Sequence, residues 1–146
     1  MLSTLRTLCL KGIDGKEVSA EVYIASGLPS YTVVGLPDAA VKEAKDRVVA
    51  AVRNSGYDFP SRRITVNLAP AEIRKAGTHF DLPIALGVIA ATGRLGEQPP
   101  ARLKETFFIG ELALDGRLRP VAGVLPMLLA LKDRGAAAVV PEGNAA

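Results

Sequence analysis

The chain has 146 residues, 49% apolar and 23% charged, with a net charge of +3 and a pI near 9.2. That suits one soluble domain with a full hydrophobic core, and so small a charge permits nucleic-acid contact without arguing for it. The single cysteine, Cys9, excludes an internal disulfide and fits a reducing compartment. No basic leader precedes the first strand, and the apolar run near Ile84 falls far short of the ~20 residues a membrane span needs. A cytoplasmic protein without a membrane partner is expected.

In chain order, Leu2 to Lys11 and Glu17 to Ile24 alternate apolar and polar residues about Asp14-Gly15, which predicts a β-hairpin. Tyr31 to Val34 reads as a third strand. Asp38 is placed to cap a helix running to Asn54, with Val41, Ala44, Val48 and Val52 on one face and Gly56 as its stop. Arg63 to Leu68 is a short β-branched strand. Asp81 reads as the cap of a second helix, apolar nearly all round from Leu82 to Ala91, which should be the most buried helix. Gly93 to Ala101 reads as a polar, Pro-containing loop. Phe107 to Leu114 and Arg117 to Val121 flank Asp115-Gly116 as a second hairpin. Val124 to Arg134 predicts a third helix stopped by Gly135, and Ala137 to Val140 a last strand. Strands first, then alternating helices and strands, give an α+β class with helices packed on a mixed sheet. Asn144 would cap a following helix, so a longer parent protein is expected.

The usual catalytic and cofactor signatures are missing. The only Gly-Lys pair, Gly15-Lys16, is followed by Glu17 and sits in the expected hairpin, so it makes no phosphate loop. One His and one Cys, His79 and Cys9, do not make a zinc site. No G-x-S-x-G elbow occurs, and Asp81 lies two positions from His79, off its helical face. His79 therefore reads as a polar turn residue and Cys9 as a small core residue. The basic residues Lys42, Lys45, Arg47, Arg53, Arg62 and Arg63, with Arg74-Lys75 beyond them, outline a stripe for a phosphate backbone. Glu43 and Asp46 interrupt it, as they would on a plain solvated face. The seven Phe and Tyr residues do not interleave with these charges, so no base-stacking platform is expected.

Four segments then occur in order: Val34-Gly35-Leu36-Pro37-Asp38-Ala39-Ala40-Val41-Lys42-Glu43; Thr65-Val66-Asn67-Leu68-Ala69-Pro70-Ala71; Phe80-Asp81-Leu82-Pro83-Ile84-Ala85-Leu86; and Gly110-Glu111-Leu112-Ala113-Leu114-Asp115-Gly116. Over essentially its whole length the chain resembles the N-terminal domain of the magnesium-chelatase-like AAA+ ATPases of the YifB/ComM type. The resemblance implies a ribosomal-S5-domain-2-like fold, shared with the Lon protease domain. It implies one accessory domain over residues 1–146, with the AAA+ module outside this chain. ATP and magnesium belong to that module, and no cofactor is implied here. Competence-type members of the family are described as hexameric, ATP-driven DNA branch-migration enzymes, so single-stranded or branched DNA, the AAA+ module and a homo-hexamer are the implied partners. The chelatase name implies no porphyrin chemistry.

Lys75-Ala76-Gly77-Thr78-His79 is similar to the Lys-x-Gly-x-Ser turn of Lon-type proteases, whose Ser is the nucleophile. Gly110-Glu111-Leu112 through Gly123 is similar to the segment leading to the Lon catalytic lysine, which places Met127 at the lysine position. A Ser-Lys dyad needs a hydroxyl nucleophile and an amine base. His79 and Met127 would therefore be the positions of a degenerate dyad, with no catalytic residue in the chain. The leading expectation is a non-catalytic module assisting DNA binding or ring assembly. The alternatives are a protein-interaction module without DNA contact and a degenerate Lon-like hydrolase.

Overall fold

The structure is a computed structural model describing residues 1–95 and 101–145. Strands β1 (Leu2–Lys11) and β2 (Asp14–Ala25) form the expected antiparallel hairpin, but its turn is Gly12-Ile13 rather than Asp14-Gly15, because Lys11 pairs with Asp14. Gly12 at φ +65° supplies the left-handed residue that a two-residue turn requires. Gly15 instead serves packing: a Cβ there would lie 2.8 Å from the Ala130 Cβ.

Strand β3 (Ser30–Val34) runs parallel to β4 (Arg63–Ala69), which is antiparallel to β2. On the other side, β5 (Thr106–Phe108) runs parallel to β1, and β8 (Ala137–Val139) runs parallel to β5. The sheet order is β3-β4-β2-β1-β5-β8, a mixed sheet with packed helices, as the α+β reading expects. Strands β6 (Glu111–Leu112) and β7 (Leu118–Arg119) make a separate small hairpin. The second predicted hairpin is thus much shorter, since β5 belongs to the main sheet. Gly110 divides the segment: its N–H donates to the His79 carbonyl at 3.0 Å and its carbonyl accepts from the Leu82 N–H at 3.1 Å.

The single helix predicted from Asp38 to Asn54 is two, α1 (Ala39–Lys42) and α2 (Lys45–Asn54). Asp38 caps α1, its Oδ1 accepting from the Val41 N–H at 2.9 Å. At the break, the Ala44 N–H bonds the Val41 carbonyl, and Arg47 Nη2 donates to the Ala40 carbonyl that a continuous helix would have used. Helix α3 (Asp81–Ala91) is buried over most of its length, as predicted. Residues 96–100 of the expected 93–101 loop lie outside the described residues, and Ala101 opens a short helix, α4 (Ala101–Glu105). Helix α5 (Val124–Leu129) is half the predicted length and continues as turns to Gly135. Asn144 ends a 3-10 turn, and its side chain clamps the Val121 backbone at 2.9 and 3.0 Å.

Consecutive residues of β1 point to opposite faces, so Leu8 and Cys9 enter different apolar clusters. Cys9 joins α1, α2 and α3 over β2 and β4; Leu8 joins Phe107, Ile109 and α5. No helix among the described residues is long and apolar enough to cross a membrane.

Candidate functional site

The turn before α3 is held from every side. The Lys75 N–H donates to the Leu36 carbonyl at 2.9 Å, and the Lys75 carbonyl accepts from the Asp38 N–H at 2.8 Å. Asp38 Oδ2 also accepts from the Gly77 N–H at 3.3 Å, so one carboxylate caps α1 and anchors the turn. Gly77 sits at φ +109°, which a side-chain residue adopts only under strain, and a Cβ there would crowd His79 Nδ1 at 2.9 Å.

Lys75 has no exposed surface, and its Nζ donates to the Pro70 carbonyl. Burial lowers its pKa, against the opposing fields of Cys9 and Glu72. His79 is a turn residue, as the sequence suggests, but a buried one. It is 3% exposed, lies 4.1 Å from Phe80 ring to ring, and its Nε2 sits 2.7 Å from the Leu8 carbonyl. A carbonyl only accepts, so Nε2 carries the proton. Burial lowers the imidazole pKa, with the Leu8 bond and Asp38 opposing. Its ring ties the start of α3 to β1. Met127, which the resemblance sets at the lysine position, is 2% exposed and fills the α5 cluster.

Asp81 is the second departure. It does not cap α3: the cap position is Phe80, without a side-chain bond. The Asp81 carboxylate is 1% exposed and accepts from Arg47 Nε at 2.7 Å, Arg47 Nη2 at 3.2 Å and the Leu112 N–H at 3.0 Å. Burial raises its pKa, opposed by Arg47 and the Leu112 amide. This pair joins α2, α3 and β6. A charge inside an all-apolar helix is the sequence signal for such a partner, since buried charges are paired; the identity of the partner, 34 residues away, had no local signal.

The basic stripe is therefore changed in one member. Lys42, Lys45, Arg53, Arg62 and Arg63 are exposed, whereas Arg47 is half-buried and engaged with Asp81, Glu43 and the Ala40 carbonyl. Lys45 and Arg53 stand eight residues apart on α2, or ~12 Å along its axis. Among the described residues, no group of three His, Cys, Asp or Glu side chains could hold a metal ion.

Residues 20–144 match the family model described as subunit ChlI of Mg-chelatase. The chain belongs to this family. It is 45% identical over 134 residues to the competence protein ComM of Haemophilus influenzae, covering 92% of the chain and 26% of that protein. It is 47% identical over 139 residues to an uncharacterized protein of Mycobacterium tuberculosis, covering 94% of the chain and 27% of the relative. It is 42% identical over 143 residues to the uncharacterized protein YifB of Escherichia coli, covering 98% of the chain and 28% of the relative. The YifB/ComM kinship expected from the motifs is thus found, and the chain spans about a quarter of the length of these relatives.

Proposed function

We propose that this member of the ChlI-like family is a non-catalytic N-terminal module, with a ribosomal-S5-domain-2-like fold, of a cytoplasmic AAA+ ATPase that remodels branched DNA. In this reading the ATP and magnesium sites lie on the AAA+ module, the parent assembles as a homo-hexamer, and this domain assists DNA binding or ring assembly. The observation that carries the non-catalytic part is the state of the two dyad positions. His79 is buried against a backbone carbonyl and Met127 is packed in a core cluster. A thioether cannot accept and return a proton, and His79 Nε2 is already committed, so neither a nucleophile nor its base is available. Kinship with a competence protein supports DNA as the substrate class.

A protein-interaction role without DNA contact is the second reading. It is favoured by Leu125 and Leu129, 69% and 58% exposed, four residues apart on α5. The test that separates the two is titration of labelled single-stranded and forked DNA into the chain at low and high salt. Salt-sensitive binding supports the first reading; its absence at low salt leaves the second.

A further inference from the structure

Three arginines far apart in sequence meet at the β5–β8 side of the sheet. Arg6 of β1, Arg102 of α4 and Arg134 after α5 line a cleft of about 370 Å³ with Glu105, Thr106 and Gly135. Two of them are fixed in place. The Arg6 Cζ stands 4.8 Å from the centroid of the fully buried Phe107 ring, and the Arg134 Cζ stands 5.5 Å from it. Both also bind Glu17: Arg6 Nε donates to Oε1 at 2.9 Å, and Arg134 Nη1 donates to Oε2 at 3.0 Å. Burial alone would raise the Glu17 pKa, but the two arginines outweigh it and hold the carboxyl below its usual range.

A guanidinium carries five N–H donors in a rigid plane. One carboxylate with two oxygens cannot use those of Arg6 and Arg134 together, so donor edges remain for a further anion. Three arginines against Glu17 and Glu105 leave one positive charge at the cleft. The stacking on Phe107 supplies preorganisation, which the exposed lysines of α1 and α2 lack.

We propose that the Arg6–Arg102–Arg134 cleft is a phosphate-binding site, taking one backbone phosphate of a DNA strand. The DNA source rests on the DNA-assisting reading above; the phosphate chemistry rests on the cleft alone. The test is NMR titration of the ¹⁵N-labelled chain with sodium pyrophosphate and, separately, with a short oligo-dT strand. The signals followed are the Arg6 and Arg134 Nε–H groups and the Gly135 amide. Both probes should shift these signals, and Arg102→Gln/Arg134→Gln should weaken oligo-dT binding about tenfold or more, as expected for losing charge-assisted bonds. Glu17→Gln removes the resident competitor and should tighten pyrophosphate binding, a gain that misfolding cannot mimic. Lys42→Glu/Lys45→Glu should leave the cleft signals responsive. Oligo-dT that shifts Lys42 and Lys45 but not the cleft would keep DNA binding and overturn the site. Pyrophosphate binding at the cleft with no oligo-dT binding anywhere would keep the site and overturn the DNA reading. Silence of the cleft toward both probes, or weaker pyrophosphate binding by a Glu17→Gln chain of unchanged thermal midpoint, would overturn the proposal.

Discussion

Arg47 and Asp81 form the tightest test at the scale of single residues. Asp81 is 1% exposed and its partner arrives from another helix. Arg47→Ala strands a buried carboxylate, so the expected loss is about 3–5 kcal/mol in urea unfolding. Asp81→Leu/Arg47→Met should be markedly less harmful than Arg47→Ala, because an apolar pair leaves no orphan charge. Charge reversal at Arg47 would therefore report on folding rather than on DNA contact. His79 gives a pH prediction. Its folded pKa lies below the ordinary 6.5 because of burial, so the unfolded chain takes up the proton first. Stability is then full above about pH 6.5 and falls as pH drops toward the depressed folded value, by at most ~1.4 kcal/mol per pH unit. His79→Gln keeps a donor for the Leu8 carbonyl and should flatten that acid limb, measured as the difference between the two unfolding midpoints from pH 7.5 to 5.

Among the elements, α3 carries most of the packing against β1, β2 and α2. Ile84 and Val88 have no exposed surface, and Ile84→Ala should cost about 2–5 kcal/mol in urea unfolding, with a loss under 1 kcal/mol contradicting its central place. This helix was legible because an apolar run with no polar face has only one place to go. The strands of the first hairpin were legible from their alternation, but their turn was not: Asp14-Gly15 has good turn chemistry, yet Gly15 is needed against Ala130, a contact made by residues far along the chain. The break between α1 and α2 was equally hidden, since apolar spacing runs through Ala44 without interruption and only Arg47 and the Ala40 carbonyl reveal it. The turn at His79 was legible from its motif, whereas the burial of His79 depends on β1 lying across it. The arginine cleft had no local signal, because positions 6, 102 and 134 meet only through the β1-β5-β8 order.

For the whole molecule, catalytic silence and DNA contact are separable. The chain should hydrolyse neither ATP nor peptides, and peptide turnover that survives further purification and is lost in His79→Gln would contradict the dyad argument. On the proposed reading, contact with DNA should be weak for one copy, in the range of ~10⁻⁴ to 10⁻⁶ M at physiological salt, and a ring of copies would multiply it. The most direct measurement is fluorescence anisotropy of labelled single-stranded and forked DNA with the chain across a salt series. With three or four phosphates neutralised, the log-log slope should be about −3, an affinity loss of roughly 60-fold between 50 and 200 mM salt. No binding at the lowest salt, or binding indifferent to salt, would contradict the account.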